Sequence, residues 1–320
     1  MPAPSLAAPA APGAPSPAEL PGPLTGSEAS RRLLSSEDPS RPITLWGSSS
    51  MSSEGGDEAT PVPIRIHEHL ILAAAPATVH AYGVGATTSA HTLLMRGLDR
   101  PVATPSSTPE TDTGTVTITL DSGLSPAGPL RIPGTLGEVP GHLDGSSGSW
   151  RFTPEDGQQK VTAGPFVSAL AETAASSRQV LWMGKNNILD TTAVLADTQR
   201  MWDAAEAPET DTLVLGHWPT EFDAAGSPTG QALSTVNAEQ RDRYGDHFLD
   251  LQELLTGQAG LTCAPIAPLR LLEQGSTQDA LDRGVVPPLL VATDAIHLNG
   301  WGNLAVSWAI IQRMRELRWL

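Results

Sequence analysis

Residues 43–51 read Ile43-Thr44-Leu45-Trp46-Gly47-Ser48-Ser49-Ser50-Met51. A short apolar run, Ile43 to Trp46, has the length of a buried strand and breaks into a Gly/Ser turn. The period then lengthens. Val62–Ala74 places Ile66 and Leu70 at helical spacing, Thr78–Tyr82 reads as a second strand, and Ser89–Leu98 as a second helix. Alternation of short strands with amphipathic helices is the pattern of βα units on a parallel sheet. It resumes downstream with a strand at Gln179–Met183, a helix through Trp202 and a strand at Thr212–Gly216. A long helix is expected over Asn237–Leu255, and a fifth strand at Leu261–Ile266. A last helix starts near Gly302, with Leu304, Trp308, Ile311 and Leu317 on one face. The expectation is an α/β fold: three α/β/α layers around about five parallel strands.

Between Val102 and Lys160 this rhythm stops. Thr115-Val116-Thr117-Ile118-Thr119-Leu120 alternates strictly, Trp150 and Phe152 repeat the alternation, and Gly and Pro punctuate the interval. A small antiparallel β insertion is expected over about 102–160. It serves either as a lid or wall over the site or as a structural appendage. The remainder, 41–320, belongs to the α/β domain. Residues 1–40 form an Ala/Pro-rich tail with little to bury, expected to be disordered. The tail is not a signal peptide as it stands, because prolines interrupt each apolar stretch. The compartment stays open: extracellular if a leader has been removed, otherwise cytoplasmic.

The chain has 320 residues, 35 acidic against 19 basic, and a net charge of −16. No Lys/Arg cluster offers the basic patch that a nucleic-acid partner requires. No apolar run is long enough for a membrane span. A lone cysteine, Cys263, excludes an internal disulfide framework and a cysteine-based zinc cluster.

Three short stretches carry candidate chemistry. Gly47-Ser48-Ser49-Ser50 leaves the first strand, where ligands bind in open α/β sheets. Gly184-Lys185-Asn186-Asn187 leaves the third strand, so the Asn186 amide can face the same crevice. Asp294-Ala295-Ile296-His297 precedes the last helix. Of the eight histidines only His297 has an acid three residues before it. Such a carboxylate can orient the imidazole and fix its tautomer, which suits a general base acting on a serine.

Together these stretches resemble the SGNH (GDSL) hydrolase superfamily over Ile43 to the C-terminus, apart from the insertion. Gly47-Ser48-Ser49-Ser50 stands in the place of the first block, G-D-S-x, and the variant G-Q-S-N-M of some carbohydrate O-acetylesterases is close to Gly47–Met51. Gly83-Val84-Gly85-Ala86-Thr87-Thr88-Ser89 resembles the second block, Gly184–Asn187 the third, and Asp294, His297 and Leu298 meet D-x-x-H-L. The resemblance implies a flavodoxin-like three-layer fold, Ser49 as nucleophile, and His297 as base held by Asp294. The oxyanion would be bound by the Ser49 N–H, the Gly85 or Ala86 N–H and the Asn186 amide. No metal or organic cofactor would be required. Three departures stand out. Ser48 replaces Asp, which leaves Ser50 as a competing nucleophile. Ala86 stands at a glycine position, although it tolerates positive φ poorly. Asn187 replaces Asp.

The implied activity is hydrolysis of acyl esters, with acetylated carbohydrate as the substrate class. A lipid or small-ester acylhydrolase is the enzymatic alternative, and a non-catalytic glycan-binding or structural module the other. His217 and Trp218, after the fourth strand, and Trp301, beside His297, are candidate substrate contacts. His67-Glu68-His69 lies on a helix whose geometry turns residues two apart in different directions, so it reads as a solvated face. Gly300–Ala305 matches a dinucleotide fingerprint, but too little chain follows for a βαβ unit. The sequence leaves oligomeric state open.

Overall fold

The computed structural model describes residues 40–55, 60–73, 75 and 77–320. They belong to a unit spanning Asp38–Leu320. The tail expected over residues 1–40 lies outside the described residues as far as residue 39.

In chain order, β1 (Ile43–Gly47) leads into the short helix α1 (Ser49–Ser52), then α2 (Val62–Leu72), β2 (Val79–Gly83) and α3 (Ser89–Arg96). Six antiparallel strands follow: β3 (Val102–Pro105), β4 (Val116–Leu120), β5 (Arg131–Leu136), β6 (Val139–Asp144), β7 (Arg151–Pro154) and β8 (Gly164–Ser168). The chain returns through β9 (Arg178–Trp182), α4 (Thr191–Asp203), β10 (Thr212–Leu215), α5 (Pro228–Tyr244), β11 (Phe248–Leu249) and α6 (Gly300–Glu316).

Strands β11-β10-β9-β1-β2 form a five-stranded sheet, and each pair in it is parallel. Read from β2, the order is that of flavodoxin-like sheets, with the reversal of winding between β1 and β9. The inner strands β1, β9 and β10 are buried along their whole length. Parallel strands covered on both faces read as continuous apolar runs, which is why these were visible in the sequence. Ile43, Leu45, Val180, Trp182, Leu213 and Leu215 pack on α2 and α6 through Ile66, Leu70, Val306 and Ile310. From the opposite face, Trp46, Leu181 and Val214 meet Leu93 and Leu94 of α3, Met201 of α4 and Tyr244 of α5. Helices therefore cover both faces, giving the expected three layers.

The insertion is a closed barrel in the order β3-β4-β7-β6-β5-β8. Its strands alternate buried with partly exposed positions, as in Val116-Thr117-Ile118 and Arg131-Ile132. The barrel interior, built on Ile118, Ile132, Leu143, Phe152 and Phe166, is continuous with the core beneath α3. Closure removes the free strand edges that an open insertion would expose.

Two expectations are corrected. The helix expected over Asn237–Leu255 starts earlier, at Pro228 capped by Ser227, and ends at Tyr244. Gly245, at φ 52° and ψ −121°, turns the chain out of it and into β11. The fifth strand is thus Phe248–Leu249, not Leu261–Ile266. The latter stretch is a helical turn followed by hydrogen-bonded turns, Cys263 N–H to Gly260 O and Ile266 N–H to Cys263 O. Leu261, Cys263 and Ile266 are buried, and periodicity cannot tell so short an apolar run from a strand. Among the described residues no helix is long and apolar enough to cross a membrane.

Candidate active site

The sequence-predicted residues sit at one edge of the sheet. Ser49 opens α1 directly after β1, Gly85 and Ala86 follow β2, Asn186 follows β9, and His217 and Trp218 follow β10. These are the carboxyl ends of parallel strands, and β1 and β9 flank the reversal of winding, where such sheets leave a crevice.

Backbone and side-chain hydrogen bonds join the loops there. Val84 N–H donates to Gly47 O at 3.3 Å, and the Thr87 hydroxyl donates to Val84 O at 2.7 Å. Asn186 Nδ2 donates to Thr87 O at 2.8 Å, which ties the β9 loop to the β2 loop and uses one of its two N–H bonds. Asn187 Oδ1 accepts the Ser89 N–H, and its Nδ2 donates to Ser89 Oγ. Ser89 Oγ in turn donates to Asp197 Oδ2 at 2.6 Å. Asn187 Oδ1 supplies the acceptor that the Ser89 N–H needs. Ala86 adopts φ +59°, the left-handed conformation that costs an L-residue roughly 1–2 kcal/mol.

Asp294 and His297 lie on the loop between Val291 and Leu298, which pair as an isolated bridge. His297 Nδ1 is 2.7 Å from Asp294 Oδ2, while Asp294 Oδ1 accepts the N–H groups of Ile296 and His297, both at 2.9 Å. Burial pushes the Asp294 carboxyl up, but the bonds from the imidazole and the two backbone N–H groups outweigh it and hold the carboxyl below its usual range. Because Asp294 faces Nδ1, Nε2 is the imidazole nitrogen left for a reacting proton. Ala295, at φ +59°, turns the loop between the two residues.

The segment leaving α1 packs on this pair. A Cβ on Gly55 would lie 2.5 Å from Asp294 Oδ2 and 2.8 Å from His297 Nδ1. Ser50, Ser53, Glu54, Trp182, Trp218 and His297 meet at a crevice too narrow to hold a water. Ser50 thus lies beside His297 at that crevice. Among the described residues no hydrogen bond joins His297 to the Ser49 or Ser50 hydroxyl.

The other predicted contacts divide. Trp218 is 3% exposed and packs in the core below the sheet, so it does not reach a substrate in this structure. Trp301, 44% exposed, stands in the first turn of α6, whose N-terminus is capped by Asn299 Oδ1. His217 is 1% exposed, so its imidazole cannot reach a substrate in this structure. Its backbone N–H and C=O are clasped by Asn237 Oδ1 and Nδ2, both at 2.8 Å. Burial, with the Lys185 charge, holds the imidazole down to about 3.

Two residues went unread in the sequence. Asp223 accepts from Lys185 Nζ at 2.5 Å and from the Thr220 N–H and hydroxyl. This anchors the loop that carries Asn186 and withdraws Lys185 from solvent. Glu54 places its carboxylate against Gly85, where a Cβ would lie 2.5 Å from either oxygen. No motif marks Glu54; its position follows from the turn that ends α1.

No family model matches the chain, and no curated protein matches it. Solved structures do resemble it. The lipase/acylhydrolase from Enterococcus faecalis is 10% identical, with 86% of this chain and 96% of that one covered, at a TM-score of 0.45. The psychrotrophic esterase EstA from Pseudoalteromonas sp. is 9% identical, covering 86% and 97%, at 0.44. AlinE4, described as an SGNH-hydrolase family esterase, is 12% identical, covering 76% and 95%, at 0.36. All three scores lie below 0.5, so the reading of the site rests on its own residues.

Proposed function

We propose that this chain is a serine ester hydrolase of the SGNH type that works through an acyl-enzyme. The observation that supports this most is the Asp294–His297 pair, bonded at 2.7 Å beside the helix that follows β1. With Ser49 taken as nucleophile from the likeness of Gly47–Ser50 to the G-D-S-x block, its Oγ attacks the ester carbonyl carbon as His297 Nε2 takes its proton. The Ser49 N–H, the Ala86 or Gly85 N–H and the free Asn186 amide N–H receive the oxyanion. Collapse breaks the ester C–O bond, and the alcohol leaves with the proton from His297. Water, deprotonated by His297, then releases the acid and regenerates the serine. Asp294 holds the imidazole tautomer throughout. These steps call on no metal or organic cofactor.

Two substrate classes suit this chemistry. The likeness of Gly47–Met51 to some O-acetylesterases suggests an acetylated carbohydrate. A lipid or small ester is the second.

The test is hydrolysis of a short-chain aryl acetate by wild type, Ser49→Ala and Ser50→Ala. Ser49→Ala is expected to lower kcat by at least about 10³-fold, as loss of a triad nucleophile does. Ser50→Ala should cost under roughly tenfold, since its hydroxyl forms no bond in the scheme. The reverse pattern would move the nucleophile to Ser50. No turnover of any acyl ester by wild type would leave the non-catalytic module.

A further inference from the structure

The two loops that supply candidate oxyanion donors are held in different ways. The Gly85–Ala86 loop is fixed by close packing: Gly128 of the barrel, at φ +45°, sits so near that a Cβ there would lie 2.3 Å from Gly85 O and 3.4 Å from the Ala86 Cβ. Asn186 is instead the middle residue of a helical turn, Lys185–Asn187, that follows β9, and polar bonds tie its two neighbours to opposite sides.

In the sheet β9 lies between β10 and β1, with β2 beyond β1. On the β2 side, Asn187 grips Ser89 of α3 through both ends of its amide, and Asn186 itself donates to Thr87 O. On the β10 side, Lys185 Nζ donates to Asp223 Oδ2 at 2.5 Å and approaches Trp218 O at 3.5 Å. Without Lys185 the turn is tied toward β2 alone.

The β10 anchor is itself fixed. Asp223 Oδ2 also accepts the Thr220 N–H at 2.9 Å and the Thr220 hydroxyl at 2.7 Å. The loop that carries it is pinned by Asn237 at His217, by the Val286 N–H to Pro219 O at 3.1 Å and by the Ala225 N–H to Arg283 O at 3.1 Å. Asp223 is 5% exposed. Burial pushes its carboxyl up, but the Lys185 charge and bond, with those from Thr220, outweigh it and hold the carboxyl below its usual range. A buried network whose members are bonded in this way is rigid, and the ammonium at its end is held with it.

We propose that Lys185 and Asp223 are positioning residues for the oxyanion donor: their ion pair ties the Lys185–Asn187 turn to the β10 loop and so holds the Asn186 amide where the oxyanion develops. The inference rests on the ester-hydrolase reading above, in which Asn186 is that donor.

Kinetics on an aryl acetate and NMR of the Asn186 side chain test it. Lys185→Met should lower kcat by at least about 30-fold with KM within about threefold, since a displaced donor is lost to the transition state more than to the substrate. Lys185→Arg, which keeps a cation for Asp223, should recover kcat to within about fivefold of wild type. Lys185→Met leaves a buried carboxylate unpaired, so the chain changed at both positions, Lys185→Met with Asp223→Asn, repeats the test with a neutral pair and should show the same fall. In an Asn186→Ala background Lys185→Met should cost under about threefold, because the group it positions is gone, whereas a merely structural role would cost the same in both backgrounds. The Asn186 side-chain amide protons, assigned by their loss in Asn186→Ala, should exchange with water at least about tenfold faster in the doubly changed chain. Equal losses in the two backgrounds, kcat untouched in folded variants, or unchanged exchange would overturn the proposal. Turnover that needs His297 and ignores Lys185 would leave the hydrolase reading standing without it. Faster exchange in a chain whose wild type turns over no ester would support the positioning of Asn186 and sink the hydrolase reading.

Discussion

The parallel sheet and the barrel divide the work of this molecule unequally. Every candidate catalytic group comes from the sheet, from loops at the carboxyl ends of β1, β2 and β9 and from the turn before α6. The barrel touches the same place through one loop, at Gly128 and residues 122–127. The reason is topological. Parallel strands all deliver their following loops to one edge, so residues distant in sequence converge there. An antiparallel barrel sends its turns alternately to both ends and can spare only a few for any one site. Chemistry gathers on the sheet, and shape is contributed by the insertion.

Four measurements would break or sharpen that contrast. Asn186→Ala removes a sheet-edge donor, and kcat on an aryl acetate should fall by about 10²–10³-fold with KM little changed. A loss confined to KM would put Asn186 outside the oxyanion hole.

The second concerns the sheet core. His217 is buried and neutral, with its pKa depressed to about 3 by burial and by the Lys185 charge, while an unfolded imidazole titrates at 6.5. Between those values the unfolded chain binds the extra proton, so stability is full above 6.5 and falls as pH drops toward 3. The slope should approach about 1.4 kcal/mol per pH unit, a tenfold change in the folding constant. Buried His91, whose pKa is also lowered, adds to it. Chemical denaturation across pH 4–7 reads the slope, and His217→Gln should flatten it; an unchanged slope would show that the imidazole ionises inside the fold.

The third compares two barrel glycines. Gly128 and Gly137 both have positive φ, but a Cβ on Gly137 meets nothing within 4 Å. Each change to Ala should cost about 1–2 kcal/mol for the left-handed backbone. Only Gly128→Ala also displaces the Gly85–Ala86 peptide, and it should lower esterase kcat/KM by roughly tenfold. Equal activity in both variants would separate the barrel from the oxyanion loop.

The smallest effect is at Glu54, whose carboxylate faces Gly85. A negative charge there opposes an oxyanion. Glu54→Gln should raise kcat about fivefold, the equivalent of roughly 1 kcal/mol for an exposed charge. A fall instead would make Glu54 a participant.

Legibility in the sequence followed the range of the forces involved. Strands β1, β9 and β10 were readable because burial on both faces demands apolar residues throughout. The motif residues were readable because Gly47–Ser50, Gly184–Asn187 and Asp294–His297 are each short and local. β11 was not readable, for its two residues carry no period. Glu54 and Asp223 were missed because their importance comes from partners far along the chain: Gly85 for one, Lys185 for the other. Closure of the insertion into a barrel was hidden for the same reason. Alternation marks strands but does not say that β3 and β8, at opposite ends of the segment, pair with each other.

By itself, then, the order of residues determined the layered α/β architecture, the three motifs and the place where an insertion interrupts them, since periodicity and turn chemistry act between neighbours. Only the tertiary structure decided that His217 is interior, that Ser50 and His297 line one narrow crevice and that a barrel loop rests on Gly85. Those depend on packing between segments many residues apart, where the fit of surfaces leaves no local mark on the chain.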